Sequence, residues 1–213
     1  MPIYRIDSTS KLNEKIGVGF IVQVQGEAFL ITARHVITDF ARDLKYCVFE
    51  ERSYNLERPV YHSLGPLYQP DQKFVSDYAV YKLQLNLEIS VDRIELAENC
   101  RIDEKDEFEL LAIGNQAIDG IVIACIRFDT NQDAMIQIRN NGDYYPFANA
   151  VKLGSIDAPV LGGYSGSPVF RKGTNQCIGF ISSGTQVGRI ETKFKTCVVI
   201  IKSSYVLTQP PFV

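Results

Sequence analysis

The sequence Gly-Gly-Tyr-Ser-Gly-Ser-Pro occupies residues 162–168, and the apolar pair Val169 and Phe170 follows it directly. Glycines on both sides of Ser165 permit backbone angles that other residues avoid, and they let a ligand approach the main chain closely. A serine on such a turn can present its hydroxyl outward while backbone N–H groups point at one spot, as a nucleophile with an oxyanion hole requires. A Gly/Ser loop that only joins two strands has the same composition, so this stretch alone leaves both interpretations open.

Length and composition restrict the classes of protein to consider. The chain has 213 residues, of which 46% are hydrophobic and 22% charged, and its formal net charge is −3. These values are typical of a soluble globular protein with one domain or two half-domains that share a core. The charge gives no reason to expect binding to nucleic acid or to an anionic membrane. With no apolar run of 18 residues and no apolar stretch over residues 1–5, neither a membrane span nor a signal peptide is expected.

The cysteines and histidines bear on compartment and metal binding. The cysteine count is odd, the spacings are wide and no C-x-x-C occurs, the positions being Cys47, Cys100, Cys125, Cys177 and Cys197. This pattern predicts reduced thiols in the cytoplasm and not a disulfide framework. The two histidines, His35 and His62, have no paired ligand spacing. We therefore expect neither a metal site nor a cofactor.

The hydrophobic pattern predicts an all-β fold. Apolar and polar residues alternate over residues 17–25, a turn follows at Gly26, and residues 28–32 return as a second strand, which predicts a β-hairpin. Further strand-like segments lie at 45–49, 74–85, 110–113, 121–128, 134–138, 177–182 and 194–201. We expect residues 1–15 to be irregular or an edge strand, and residues 38–42 to form a short helical turn. Short strands with Gly, Pro and Asn turns, and no 15-residue amphipathic helix, favour a sandwich or barrel.

Two further residues turn Ser165 into a candidate nucleophile. Serine reacts only when a base takes its proton and a third group orients that base. His35 follows an apolar strand, and Asp77 stands where another apolar strand begins, so an imidazole and a buried carboxylate are available. Each residue also has a purely structural interpretation. His35 would be a core or surface histidine, Asp77 a carboxylate that caps a strand, and Ser165 a serine in a turn. His62 is expected to be a plain surface or loop histidine.

Three segments carry a resemblance to a known family. Residues 31–36 (Ile-Thr-Ala-Arg-His-Val) resemble the L-T-A-x-H-V segment of trypsin-like serine peptidases, residues 77–83 resemble their D-x-A-x-x-K-L, and residues 163–168 resemble their G-x-S-G-G-P. Within that group the protease domain of the bacterial high-temperature-requirement (HtrA/Deg-type) proteases is most similar. Residues 17–20 resemble its G-S-G-F strand, and residues 111–115 contain its A-I-G-N. The Asp-Ala pair at 157–158 stands where the family has one.

The resemblance implies a fold and a division of the chain. It implies two packed antiparallel six-stranded β-barrels with few short helices and with the active site between them. The N-terminal barrel would comprise residues 1–95 and carry His35 and Asp77. The C-terminal barrel would comprise residues 96–213 and carry Ser165 and the specificity pocket, and the two would form one peptidase unit. The charged stretch at 86–105 is where the sequence itself suggests the boundary.

The family's roles carry over by position. Ser165 would attack the scissile carbonyl, His35 would take the serine proton and later protonate the leaving amine, and Asp77 would hold the imidazole in the required tautomer. The backbone N–H groups of Gly163 and Ser165 would bind the oxyanion.

The resemblance also implies where the substrate side chain binds. The floor of the specificity pocket would come from Pro159, and one wall from the strand that contains Ser182, Ser183 and Gly184. Since none of these offers a carboxylate, we expect small to medium apolar side chains at the cleaved position and not Lys or Arg.

Two positions depart from the family pattern. Tyr164 replaces the aspartate that pairs with a freed N-terminal amine in animal digestive members, so activation of that kind is not expected. Arg34 stands where a small residue is usual, and we expect it to be solvated.

The sequence thus predicts a cytoplasmic serine endopeptidase that acts on protein or peptide substrates through an acyl-enzyme and is regulated by a partner or ligand. The alternative from another class is a catalytically silent barrel that serves as a binding or assembly module. An esterase or other acyl transferase with the same chemistry is a third possibility.

Overall fold

The computed structural model describes residues 1–6, 10–38, 43–49, 52–63, 77–84, 94–98, 106–113, 121–127, 138–140, 143–145, 150–156, 163–190 and 193–213.

Short strands dominate the described chain. The strands are β1 (Pro2–Ile6), β2 (Asn13–Val24), β3 (Glu27–Thr32), β4 (Leu44–Phe49), β5 (Arg52–Asn55), β6 (Tyr61–His62), β7 (Ala79–Leu83), β8 (Glu95–Leu96), β9 (Glu107–Ile113), β10 (Ile121–Arg127), β11 (Ile138–Asn140), β12 (Asp143–Tyr145), β13 (Ala150–Ile156), β14 (Pro168–Arg171), β15 (Gln176–Ile190) and β16 (Lys193–Lys202). Two helical segments, α1 (Arg34–Thr38) and α2 (Ser203–Leu207), have five residues each. Within the described residues, no helix has the length and apolar character needed to cross a membrane.

The first sheet contains the predicted hairpin. Its strands run in the order β5-β4-β1-β2-β3-β7-β6, and every neighbouring pair is antiparallel. Val24 pairs with Glu27, so only two residues turn the chain, and both have positive φ: Gln25 at 52° and Gly26 at 82°. Two positive φ angles are the mark of the type I′ turn, whose twist matches that of the strands on either side. The hairpin over β2 and β3 is therefore confirmed.

The second sheet closes on itself. Its order is β14-β9-β10-β13-β16-β15-β8, and β14 also pairs with β15, which joins six strands in a ring with β8 attached outside. Only the β8–β15 pair is parallel among these neighbours. A closed second barrel beside a curled antiparallel first sheet is the chymotrypsin-like double barrel, so the predicted all-β fold class is confirmed.

Two local expectations meet a different structure, and a third is described only in part. β1 lies inside the first sheet, between β4 and β2, and is neither irregular nor an edge strand, because the fully buried Ile3 gives it a core-facing side. Helix α1 begins at Arg34, four residues before the predicted turn at 38–42, and residues 39–42 lie outside the described residues. The predicted strand at 134–138 is described only from Ile138 onward.

Aromatic side chains join the two barrels. The rings of Phe20 in β2 and Phe180 in β15 pack with their centroids 6.0 Å apart. After β16 the chain returns to the first barrel: Tyr205 packs edge-on against Tyr78, and Phe212 packs edge-on against Phe29. Each such pair contributes about 0.5–1.5 kcal/mol beyond the area it buries. These contacts fix how the loops of one barrel face those of the other.

Candidate active site

The pairing of β3 with β7 brings His35 and Asp77 together. Thr32, the last residue of β3, pairs with Ala79, the first residue of β7. His35 follows Thr32 by three residues, and Asp77 precedes Ala79 by two, so both leave the sheet at the same end. In an antiparallel pair the end of one strand lies beside the start of the next. The local register alone therefore places the two side chains within reach of each other.

Asp77 is held by three hydrogen bonds. Its Oδ1 accepts from the backbone N–H of His35 at 2.9 Å, and its Oδ2 lies 2.7 Å from His35 Nδ1. The hydroxyl of Ser182 donates to the same Oδ2 at 2.5 Å. With the residue only 7% exposed, these donors replace the water that an ionised carboxylate would otherwise need.

The surroundings of Asp77 favour its ionised form. Burial by itself raises the pKa of this carboxyl, but the hydrogen bonds and charge of His35 and the hydroxyl of Ser182 outweigh burial, so the pKa lies below its ordinary value of 3.8. An ionised carboxylate can only accept, so the proton between Asp77 and His35 belongs to Nδ1. The lone pair of the neutral imidazole is then on Nε2.

The Ser165 loop bridges the two sheets through its backbone. Val18 in β2 donates its N–H to the carbonyl of Ser165 at 2.8 Å. On the other side, Gly166 donates to the carbonyl of Ile181 at 2.7 Å, and Ile181 donates back to Ser167. The Ser165 loop is thus attached to β2 of the first barrel and β15 of the second.

Gly166 is required at its position in this loop. Its φ is +85°, and a Cβ there would lie 1.9 Å from the carbonyl oxygen of Val18 and 2.6 Å from Oγ1 of Thr32. Gly163 also has a positive φ, at 91°. These two positions explain why glycines flank the serine, which the sequence showed without giving the contact responsible.

The three predicted side chains form a continuous chain of contacts. His35 Nε2 lies 2.8 Å from Oγ of Ser165, although the two residues are 130 positions apart. The His35 side chain is 36% exposed and Ser165 is half-buried, whereas Asp77 is buried beneath them. A neutral imidazole with its lone pair toward a hydroxyl can accept that proton, so the arrangement can activate Ser165.

The two backbone amides assigned to the oxyanion hole are those of Gly163 and Ser165. Neither the Gly163 nor the Ser165 N–H donates to an acceptor within the described part of the chain. Both belong to the loop that carries the Ser165 hydroxyl. Backbone amides in this position could donate to an oxygen that develops negative charge.

Ser182 has a role that the sequence analysis did not assign. β15 and β16 pair Ile181 with Ile200 and then Ser183 with Val199, so Ser182 is the extra residue of a β-bulge. A bulge turns a side chain away from its regular direction. Here it aims the Ser182 hydroxyl at Asp77. The place of Ser182 in the wall of the substrate pocket remains a prediction. No local signal in the sequence reveals the bulge.

Other predicted positions are described in part or not at all. Pro159, the expected pocket floor, and the Asp-Ala pair at 157–158 lie outside the described residues. For Ser183 and Gly184 only the strand and its register are described. Arg34, expected to be solvated, is half-buried. His62 ends β6 with an exposed side chain, as expected of a surface histidine.

The two cysteines whose side chains are described, Cys47 and Cys177, are fully buried and form no disulfide with each other. Within the described ranges, no three His, Cys, Asp or Glu side chains are grouped closely enough to hold a metal ion.

Solved structures with the same fold include several peptidases. The alignment with the structure of Deg5 covers 99% of this chain and 87% of the Deg5 chain, with a TM-score of 0.53 at 16% identity. Kallikrein-related peptidase 10 covers 97% and 91%, with a TM-score of 0.58 at 14% identity. A collagenase, HL collagenase, covers 97% and 88%, with a TM-score of 0.61 at 16% identity. At such identities the likeness establishes the fold alone.

Comparison with curated proteins gives no match by sequence. The family profile described as a trypsin-like peptidase domain matches residues 17–180, a range that contains His35, Asp77 and Ser165. A match to this profile supports proteolysis as the general activity and proteins as the class of substrate. With most of its length matched, this chain belongs to the trypsin-like peptidase family.

Proposed function

We propose that this protein is a serine endopeptidase in which Ser165 is the nucleophile, His35 the general base and Asp77 the residue that orients the base. The observation that carries the proposal is the pair of contacts at His35, 2.7 Å from Nδ1 to Asp77 and 2.8 Å from Nε2 to Ser165. Three side chains that meet at hydrogen-bonding distance between two barrels are difficult to explain as a core feature.

In the acylation step, Oγ of Ser165 forms a bond to the carbonyl carbon of the substrate while its proton passes to Nε2 of His35. The carbonyl oxygen becomes an oxyanion, and the Gly163 and Ser165 amides donate to it. The C–N bond then breaks, and His35 returns the proton to the departing amine. Removal of one such amide donor costs about 10²–10³ in kcat in comparable sites.

In the deacylation step, water takes the place of the amine. His35 removes a proton from the water as its oxygen attacks the acyl-enzyme ester, and the proton returns to Oγ of Ser165 as the ester bond breaks. Asp77 stays ionised throughout and stabilises the imidazolium that forms at each step.

The division of labour between the barrels follows from the same proposal. Residues 1–95 would supply the base and the orienting carboxylate, and residues 96–213 would supply the nucleophile and the pocket. The pocket would contain Pro159, Ser182, Ser183 and Gly184. The preference for small to medium apolar side chains belongs to this proposal, as do regulation by a partner or ligand and a cytoplasmic location.

Hydrolysis of a mixed peptide library by the purified protein tests the proposal. We expect cleavage that disappears in Ser165→Ala and persists in Ser53→Ala, since Ser53 is exposed on β5, which three strands separate from β3 in the sheet. Mass spectrometry of the products gives the side chain before each cut. A profile dominated by Lys or Arg would overturn the pocket assignment.

Two further outcomes separate the alternatives. Turnover of activated esters without any turnover of peptides would indicate an esterase. Binding of peptides with no turnover of either substrate by folded protein would indicate a silent binding module, and it would contradict the proposed function.

A further inference from the structure

β2 is hydrogen-bonded to the loop that carries Ser165, and Lys15 lies on the same strand. The N–H of Val18 in β2 binds the carbonyl of Ser165. Three residues earlier on the same strand, Nζ of Lys15 lies 6.0 Å above the centre of the Tyr164 ring. Tyr164 is 8% exposed and directly precedes Ser165.

The ammonium group of Lys15 has no hydrogen-bond acceptor among the described residues, although its nitrogen is buried. A buried cation without an acceptor is costly, because the charge loses its hydration and gains no partner in exchange. The Tyr164 ring offers some compensation, but 6.0 Å is at the outer limit of cation–π attraction. The loss of hydration therefore dominates at this nitrogen.

We propose that Lys15 is a positioning residue for Ser165: its charged form opposes the observed conformation of the nucleophile loop, and its neutral form favours that conformation. The competing conformation is one in which Tyr164 moves away and Nζ of Lys15 reaches water. This inference rests on the proposed function, since it treats the observed loop as the reactive one. Protonation of Lys15 would therefore reduce the activity of the peptidase, and the reduction would depend on pH.

The protonation equilibrium of Lys15 gives the sign of the effect. Burial lowers the pKa of this amine from 10.5 to about 8. In the displaced loop the amine is hydrated and holds its proton more tightly. A state that binds a proton less tightly gains population as pH rises, so the reactive loop is favoured from about pH 8 upward.

Several other titratable or charged groups lie around Lys15. Tyr4 is its cross-strand neighbour on β1, Tyr164 lies beneath its nitrogen, and Glu14 on β2 is paired with Arg5. Burial lowers the pKa of the Met1 α-amino group to about 6, so this group is already neutral where Lys15 titrates. All of these remain in a variant that lacks only Lys15.

The test compares rates of Ser165 labelling by a fluorophosphonate in the wild type and in Lys15→Met, at a series of pH values. We expect the variant to react about fivefold faster near pH 7 and the two rates to converge above about pH 9, since only the wild type gains reactive loop on deprotonation. Lys15→Arg, which keeps its charge, should stay slow over the whole range.

Lys45→Met is the matched control. Burial lowers the pKa of Lys45 as it does that of Lys15, but Lys45 lies on β4 and donates to the carbonyl of Asp43. The Lys45→Met substitution should leave the rate of Ser165 labelling and the pH dependence of that rate unchanged. A ratio of Lys15→Met to wild type that does not vary with pH would overturn the proposal.

A second measurement stands apart from catalysis. In the Ser165→Ala background, Lys15→Met should raise the thermal midpoint near pH 7, and the gain should shrink by about pH 9. If no variant is labelled but this gain is seen, the proposed function fails and the account of Lys15 holds. An unchanged or lower midpoint at both pH values would contradict the account of Lys15 even if labelling succeeds.

Discussion

The hydroxyl of Ser182 donates to Oδ2 of Asp77 at 2.5 Å, from a residue 105 positions further along the chain. The contact crosses from the second barrel to the first, because Ser182 lies in β15 and Asp77 lies two residues before β7. The second barrel therefore supplies the nucleophile loop and also one of the donors that hold the orienting carboxylate. The packing of the two barrels against each other therefore determines the positions of both Ser165 and Asp77.

We expect Ser182→Ala to lower kcat about tenfold with little change in KM, because a hydrogen bond to a charged group contributes about 1.5–3 kcal/mol. The substitution removes a donor that favours the ionised form of Asp77, so the orientation of His35 weakens. Peptide turnover at several substrate concentrations measures both constants.

Ser203→Ala is the control for that experiment. Ser203 is another buried serine of the second half, and its hydroxyl binds the carbonyls of Ala97 and Cys177. The Ser203→Ala substitution should lower the free energy of unfolding without changing kcat. If Ser182→Ala raised KM and left kcat intact, Ser182 would belong to the substrate pocket, as the sequence first suggested.

We expect Gly166→Ala to lower the free energy of unfolding by about 3 kcal/mol or more, because its Cβ would lie 1.9 Å from a backbone oxygen. Gly173→Ala should cost only about 1–2 kcal/mol. Gly173 also has a positive φ, 72°, but nothing lies within 4 Å of its Cβ position. Urea unfolding of both variants measures the difference. Equal losses would show that β2 and the loop do not meet as described.

Asp77 makes stability depend on pH in the acid range. Its pKa is lowered in the folded protein, so its contribution is complete above the unfolded value of 3.8 and is lost as pH falls through the folded value. The thermal midpoint of Ser165→Ala should exceed that of the double variant Ser165→Ala, Asp77→Asn. This difference should be largest near neutral pH. It should shrink below about pH 4. A gap that grows on acidification would contradict the lowered pKa.

The sequence predicted those features that depend on local pattern. The alternation along β2 and β3 and the glycine at the turn define the hairpin, and the glycines around Ser165 define the loop. His35 and Asp77 each stand next to a strand end that the hydrophobic pattern marks. The pairing of those two strands brings the side chains together, so the candidate triad follows from local pattern and strand register.

Features that depend on distant contacts could not be predicted. The direction of the Ser182 hydroxyl depends on a bulge that only the pairing of β15 with β16 reveals. The interior position of β1 depends on its pairing with β4, which lies about forty residues further along the chain. Helix α2 is too short for periodicity to show, and it is held by packing of Tyr205 and Val206 against the core. The burial of Lys15 Nζ likewise depends on residues distant in sequence, such as Tyr164.

The most direct test of the central claim is the site at which a fluorophosphonate reacts. Intact-protein mass spectrometry, followed by peptide mapping, should show one adduct per chain on Ser165. The adduct should be absent from Ser165→Ala and slowed at least about 10³-fold in His35→Ala, since the base is missing. Folded wild-type protein that remains unlabelled at every pH, or that carries its adduct on another residue, would contradict the account.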